Sequence, residues 1–446
     1  MATEQRSIAA RLSTFDTAMV VFSLVVGIGI FRTPAIVASA AGDTTLFYGA
    51  WILGGLISLV GAFTFAEIGA RYPRAGGYYR VVADCYHPTF AFMLNWAQAL
   101  MQGASAAGVA FIGADYLAPV VLPESLHTPQ GTLALACATM LVLLMLNYRG
   151  IRSGARTQNL LSALKIAMML AIGGLALWLA PQSHATDPVA TTPLLPRLAS
   201  ALVPCFYAYG GYQLTMNLGA DLKNAPKRFP LAIAGGMFTV VVLYLLLNFA
   251  YQRVLGTSGV AESKLVAAAL SHATFGPSGE AVVSVAVFFS AAGFVNAMIL
   301  QMPRTFYAMA EDGVLPRAFL QVNPKTQVQG VALLFSGATM LVPAFLLGSF
   351  EKLLNYVMFS DALTLAVVAS TLFVLRRRHV GDGGFAMAGY PVLPALYLLC
   401  LVGVSARVLV MEPRLALAGI VILLTGWPLF RLSRAIVGRD RTTGSE

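Results

Sequence analysis

This chain is poor in charge. Asp, Glu, Lys and Arg make up 11% of its 446 residues, less than half of the roughly 25% usual in soluble globular domains. Four cysteines, Cys85, Cys137, Cys205 and Cys400, are scattered without paired spacing, so neither a disulfide framework nor a thiolate metal site is indicated. The five histidines fall in loops or near the ends of apolar stretches and form no ligand cluster. There is no P-loop, no metalloprotease motif and no nucleophile elbow. Gly27 and Gly29 do not make a dinucleotide fingerprint, because no strand precedes them and no third glycine completes them. A channel would want a repeated filter or rings of charge, and neither is present. The reading is therefore of a protein that is not an enzyme, holds no cofactor or metal and does not use ATP.

Apolar residues fill the space that charge leaves. The chain is 58% hydrophobic, with mean hydropathy +0.75. Stretches long enough to cross a bilayer fall at 16–41, 46–70, 89–117, 131–149, 157–180, 199–219, 230–251, 279–302, 328–348, 352–375, 389–410 and 414–433. The expected fold class is an all-α integral membrane protein of twelve transmembrane helices. The first stretch is too long, and too closely followed by others, to read as a cleaved signal peptide. A net charge of +10 and a pI near 9.6 would suggest nucleic acid in a soluble protein; topology explains them better here. With the N-terminus inside, the cytoplasmic segments collect most of the Lys and Arg, including Arg71, Arg74 and Arg80, Arg149, Arg152 and Arg156, and Arg376 to Arg378. The opposite face holds Arg197, Arg253, Lys264, Lys352, Arg407 and Arg414. Both termini are expected in the cytoplasm, with a cell (cytoplasmic) membrane as the location. The lipid bilayer is then a partner and nucleic acid is not; oligomeric state is open.

Two stretches interrupt themselves. Val26-Gly27-Ile28-Gly29-Ile30-Phe31 lies inside the first, and glycines at that spacing cost helix stability. Backbone freed at membrane depth is tolerated only inside protein or beside a water-filled cavity. Its half-helix N-terminus offers free N–H groups and a dipole to a carboxylate. The sixth stretch carries Tyr207-Ala208-Tyr209-Gly210-Gly211-Tyr212-Gln213, then Asn217, Gly219 and Asp221. The first and sixth stretches open two consecutive five-span units, and paired interruptions at corresponding positions point to a transporter with inverted repeats and a midplane site. The division is a terminus at 1–15, a first repeat at 16–180, an extracytoplasmic loop at 181–198, a second repeat at 199–375, two peripheral spans within 376–434 and a terminus at 435–446.

Several motifs occur in order. After the break at Gly27–Phe31 come Ala66-Glu67 and Arg71-Tyr72-Pro73-Arg74-Ala75-Gly76-Gly77-Tyr78, then Gln158-Asn159 and Lys165. Lys223-Asn224-Ala225-Pro226-Lys227-Arg228 closes the sixth stretch, and Ser290, Gly293 and Asn296 lead to Pro303-Arg304 and Tyr307 to Pro316. On these motifs the chain resembles the amino acid–polyamine–organocation superfamily over almost its whole length, with the five-plus-five fold of the bacterial leucine transporter. The resemblance implies an amino acid substrate, its α-carboxylate on the N–H groups of Ile28, Gly29 and Ile30. Its ammonium would lie on carbonyls around Phe206, Tyr207, Ala208 and Tyr209 and at the break near Val26 and Gly27. Many relatives have Ser or Thr where Ile28 stands. Tyr209 looks like the family's aromatic gate, with Gly211 beside it, and Tyr212 stands where relatives often have Trp.

Two ionisable groups stand at depth. An ammonium in the middle of the fifth span is expensive in hydrocarbon, so Lys165 is a functional candidate. In some sodium-independent relatives a lysine at this position looks like a substitute for a second sodium ion, and Ser290 would be its partner. Asp361, near the centre of the tenth span, could read the substrate side chain, titrate with transport, or pair inside the bundle. Arg32 reads as an extracellular-vestibule residue, and Glu67 with Arg71 as a helix pair or a cytoplasmic gate. The expected function is sodium-independent secondary transport of small or medium neutral amino acids with a proton as co-substrate. The alternatives are an exchanger that includes polar or cationic substrates, and a membrane amino-acid sensor on a transporter fold.

Overall fold

The computed structural model describes residues 9–179, 193–263, 265–347, 357–381, 384–411 and 413–443. Among the described residues the chain is helical throughout, with isolated bridges and no strands. Helices α1 (Thr14–Val25) and α2 (Gly29–Ala41) are followed by α3 (Thr44–Arg71), the short α4 (Gly77–Cys85), α5 (Pro88–Val121), α6 (Pro129–Tyr148) and α7 (Ile151–Leu179). Then come α8 (Leu194–Ala208), a 3-10 turn at Tyr212–Asn217, α9 (Ala225–Glu262), α10 (Val266–Phe275) and α11 (Gly279–Glu311). The last four are α12 (Gly330–Leu347), α13 (Val357–Arg377), α14 (Val392–Met411) and α15 (Pro413–Thr443). Most of the expected 181–198 loop, the start of the span expected at 352–375 and the ends of both termini lie outside the described residues.

Among the described residues α3, α5, α6, α7, α9 and α11 are each long and apolar enough to cross a membrane, and α1 with α2, bent by 46°, makes a further span when taken together. Large apolar side chains such as Leu231, Phe238, Leu334 and Trp178 face outward. A helix surface of that kind suits hydrocarbon rather than water as its solvent.

The first interruption falls where the glycines predict it. Helix α1 starts on a capping box, in which the Ser13 hydroxyl accepts from Asp16 N–H at 3.1 Å and Asp16 accepts from Ser13 N–H at 2.9 Å. It stops at Val25; the Gly27 N–H turns back to the Val25 carbonyl at 2.9 Å, and α2 begins at Gly29. The sixth span differs from the expected stretch. Helix α8 ends at Ala208, and the chain continues as a six-residue 3-10 turn and loop rather than as a second α-helix. Asn217, Gly219, Asp221 and Asn224 explain this, since such residues favour turns over continued helix. The loop is held from outside: Arg304 of α11 donates to both oxygens of Asp221 at 3.1 Å, with both side chains buried. Leu12 N–H also donates to the Asp221 carbonyl at 2.8 Å, tying the approach to α1 to the same loop.

Candidate functional site

Both interruptions open onto one cavity of about 230 Å³. Gly27, Ile28 and Gly29 form one wall, and Phe206, Tyr207, Ala208, Gly210 and Gly211 face them. Helix α5 contributes Gln98, Met101, Gln102, Ser105 and Val109; α11 contributes Phe294 and Met298; α13 contributes Asp361 and Leu365. A volume of this size with a few polar groups on apolar walls suits a small organic molecule.

The two breaks touch because residue 211 is glycine. Its φ is +118°, and a Cβ built there would collide with the Leu24 carbonyl and lie 3.2 Å from the Val25 nitrogen. Across the contact, the Tyr244 hydroxyl of α9 bridges the breaks, lying 3.3 Å from the Val25 carbonyl and 3.2 Å from the Ala208 carbonyl. Gly210 N–H donates to the Tyr207 carbonyl at 3.2 Å and Gly211 N–H to Gln213 Oε1 at 2.9 Å. After these bonds, the carbonyls of three lining residues, Leu24, Phe206 and Gly210, accept no hydrogen bond among the described residues. On the donor side, the N–H groups of Ile28, Gly29 and Ile30 open α2 and find no main-chain acceptor. The arrangement offers free donors at one helix start and free acceptors at two helix ends, a pairing suited to a zwitterion.

Four expected contributors stand off the cavity wall. The Val26 carbonyl is turned away and accepts from Lys165 Nζ. The Ile30 side chain is fully buried in the core, leaving only its N–H for a ligand. Tyr209, expected as the gate, packs edge-on against Trp51 at 5.7 Å and beside Tyr244 at 5.1 Å, with its hydroxyl 3.3 Å from the Trp51 carbonyl. Tyr212 points behind the break, its hydroxyl 2.9 Å from that of Tyr397 on α14. The α-helix ends at Ala208 and Gly211 takes a positive φ before the 3-10 turn, so helical spacing no longer predicts which way those two rings face. Tyr207 and Phe206 are the span-six aromatics on the wall.

Lys165 is buried on α7, with 1% of its surface exposed. Its ammonium donates to the Val26 carbonyl and lies 5.8 Å from the centre of the Phe22 ring. Ser290 of α11 donates to the Gly27 carbonyl at 2.7 Å, with the Val26 carbonyl 3.5 Å away. The lysine and the serine converge on the same unwound turn through its carbonyls, and no hydrogen bond between the two is found among the described residues. An amide chain runs up to this point: Asn147 to Asn296 at 2.7 Å, Asn296 to Gln158 at 2.9 Å, and Gln158 to Ser162 at 3.0 Å, with Ser162 2.8 Å from Ser23.

Asp361 reaches the cavity from α13 and accepts from Gln98 Nε2 at 2.9 Å. Arg32 lines a separate recess of about 280 Å³ with Asp115 and Tyr116. Glu67 accepts from Arg71 at 2.7 Å, from Arg376 at 2.7 and 2.8 Å and from Met387 N–H at 2.9 Å. It is a helix pair and also a clamp on α13. Sequence reasoning did not single out Gln98, Gln102, Gln213 or Tyr244. Gln98 and Gln102 lie one turn apart on an apolar helix and share a face that could have flagged them, whereas Gln213 lies in the 3-10 turn.

The amino acid permease family model matches residues 12–425. The chain belongs to the amino acid permease family. Its relatives are similar to it along nearly the full length of this chain. The "Serine/threonine exchanger SteT" of Bacillus subtilis (strain 168) is 27% identical over 436 residues, 96% of this chain and 98% of that protein. The human "Asc-type amino acid transporter 1" is 25% identical over 441 residues, 97% of this chain and 83% of that one. The human "Large neutral amino acids transporter small subunit 2" is 27% identical over 418 residues, 92% and 77% respectively. This permease is accordingly a multi-pass membrane transporter for amino acids and not an enzyme.

Proposed function

We propose that this permease is a sodium-independent secondary transporter that carries small or medium neutral amino acids across the cytoplasmic membrane by alternating access. Twelve spans, two inverted five-span repeats and cytoplasmic termini complete the reading. The observation that carries it is the cavity between two helix breaks, with unused N–H groups on one side and the unused Leu24 and Phe206 carbonyls on the other. The α-carboxylate lies on the Ile28, Gly29 and Ile30 N–H groups, where the helix dipole favours negative charge. The ammonium lies between the two carbonyls. Bulky neighbours such as Ile28 and Phe294 leave room for a modest side chain.

Lys165 stands in for an ion. Its ammonium on the Val26 carbonyl, beside the Ser290 hydroxyl on Gly27, ties α7, α1 and α11 together without sodium. A positive charge there also repels Na⁺ from that turn. Lys165 and Asp361 are two titratable groups at depth, which supports proton coupling. A second reading, exchange of one amino acid for another, is favoured by the name of the Bacillus relative. Uptake of radiolabelled amino acids into proteoliposomes tests both. Uptake without sodium that accelerates under an inward proton gradient supports symport; uptake that requires amino acid inside supports exchange. Binding without any uptake would instead describe a sensor. Decarboxylated amines should fail to compete, and strong transport of a polyamine would overturn the carboxylate site.

A further inference from the structure

Asp361 is the one carboxylate on the cavity wall, and no Lys, Arg or His lines the cavity beside it among the described residues. Its Oδ1 accepts from Gln98 Nε2 at 2.9 Å, and no hydrogen bond or ion pair to Oδ2 is found among the described residues. The neighbouring glutamines are anchored through their oxygens to other groups, and neither donates to Asp361 among the described residues. Gln102 Oε1 takes the Gln301 amide at 2.7 Å and Gln213 Oε1 takes Gly211 N–H at 2.9 Å. Gln301 is held in turn by Asn217 at 2.6 Å, so that chain is braced and cannot swing to serve Asp361 without losing bonds. Beside the carboxylate the wall carries Leu365, one turn along α13, and Met101 near Gln98 on α5, with Tyr207 of the sixth span lining the same cavity.

A substrate that fills this cavity with an apolar side chain displaces water from Oδ2 and leaves it bare, and an unmade hydrogen bond to a charged or buried group is expensive. A side chain that donates a hydrogen bond removes that cost. We infer that Asp361, steadied by Gln98, selects amino acids whose side chain donates a hydrogen bond over apolar isosteres of the same shape. This inference rests on the transport reading above and names the substrate class within it. The discrimination is of the kind in which a site built for a hydroxyl rejects an analogue lacking it.

Threonine and valine have nearly the same shape and differ in the hydroxyl, so they isolate the effect. In proteoliposomes of the full chain, unlabelled threonine should inhibit uptake of labelled serine roughly tenfold to a hundredfold more strongly than valine, the range expected for a hydrogen bond to a charged group. In Asp361→Leu the threonine-to-valine ratio should fall towards one. Asp361→Asn keeps the volume and an oxygen for Gln98; it serves as a second variant, with a ratio between the two. Equal inhibition by threonine and valine in the wild type overturns the inference, as does a wild-type ratio retained in both variants. If the wild type takes up no amino acid, the transport reading falls and this inference with it, an outcome distinct from equal inhibition.

Discussion

The Lys165 ammonium occupies the space that a side chain at Gly293 would fill. A Cβ on Gly293 would sit 3.2 Å from Nζ, 3.3 Å from Cε and 3.2 Å from the Ser23 hydroxyl. The glycine on α11 and the lysine on α7 therefore form one device, in which the missing side chain makes room for the charge. Gly293→Val should push the ammonium off the Val26 carbonyl and lower uptake at least about tenfold, the loss expected from one hydrogen bond to a charged group. Lys165→Ala should do the same, and wild-type uptake should not respond to a Na⁺ gradient. Uptake in liposomes with imposed gradients, with membrane yield as the control, measures all three. A wild type that requires sodium would sink this account of Lys165.

The glycines at the two breaks are not equivalent. Gly211 has a positive φ and no room for a Cβ against Leu24, whereas a Cβ on Gly29 would meet only Thr33 at 3.7 Å and Ala208 at 3.8 Å, which is ordinary contact. Gly211→Ala should thus destabilise the fold by about 1–3 kcal/mol, the usual cost of a residue held in a disfavoured region, and abolish transport. Gly29→Ala should melt within a degree or two of the wild type, while its methyl group crowds the carboxylate approach and weakens substrate affinity. Thermal unfolding in detergent together with substrate binding separates the two effects. Equal melting temperatures for both variants would remove the distinction.

What could be read from sequence was whatever costs energy in a bilayer. Glycine pairs inside apolar stretches, and single charges at Lys165 and Asp361, break the expected pattern and so announce themselves. Gln98 and Gln102 left only the trace of a shared helix face and Tyr244 left none, since an amide or phenol in a long apolar helix gains its meaning only from the helices packed against it. The directions of Tyr209 and Tyr212 were lost for a different reason. Helical periodicity assigns faces only while the helix lasts, and it ends at Ala208. The short helices α4 and α10 lack spanning length, so a hydropathy search passes over them.

Glu67 should be a strongly stabilising carboxylate at the end of α3. It is fully buried and satisfied by two guanidinium groups and the Met387 N–H. Removing its charge leaves Arg71 and Arg376 beside a neutral group, and breaking a buried pair costs about 3–5 kcal/mol. Arg376 is 21% exposed, so Glu67→Gln should fall near the lower end, about 3 kcal/mol. Denaturation of purified protein, with reconstituted uptake as a second readout, checks this. A variant as stable as the wild type would show that the clamp contributes nothing to the fold.

Asp43 and Arg197 tie the end of α2 to the start of α8, and this link carries a pH signature. Arg197 reaches both Asp43 and the Ala41 carbonyl, so α2 and α8, one helix from each interrupted span, are joined directly. Burial works against the charge on Asp43, but the Leu46 N–H and Arg197 outweigh it and hold the carboxyl below its usual range. A carboxyl depressed in the folded state adds stability above its unfolded value of 3.8, and that stability disappears as pH falls through the lower folded value. The pair is partly exposed, so its contribution should not exceed about 1 kcal/mol. Melting temperatures of wild type and Asp43→Asn should therefore differ by a constant small amount between pH 8 and pH 5, on the order of 1–2 °C. The gap should close only below about pH 4. A gap that widened on acidification would mean that the protonated carboxyl is the favoured form and that the Arg197 link is not what holds these helix ends.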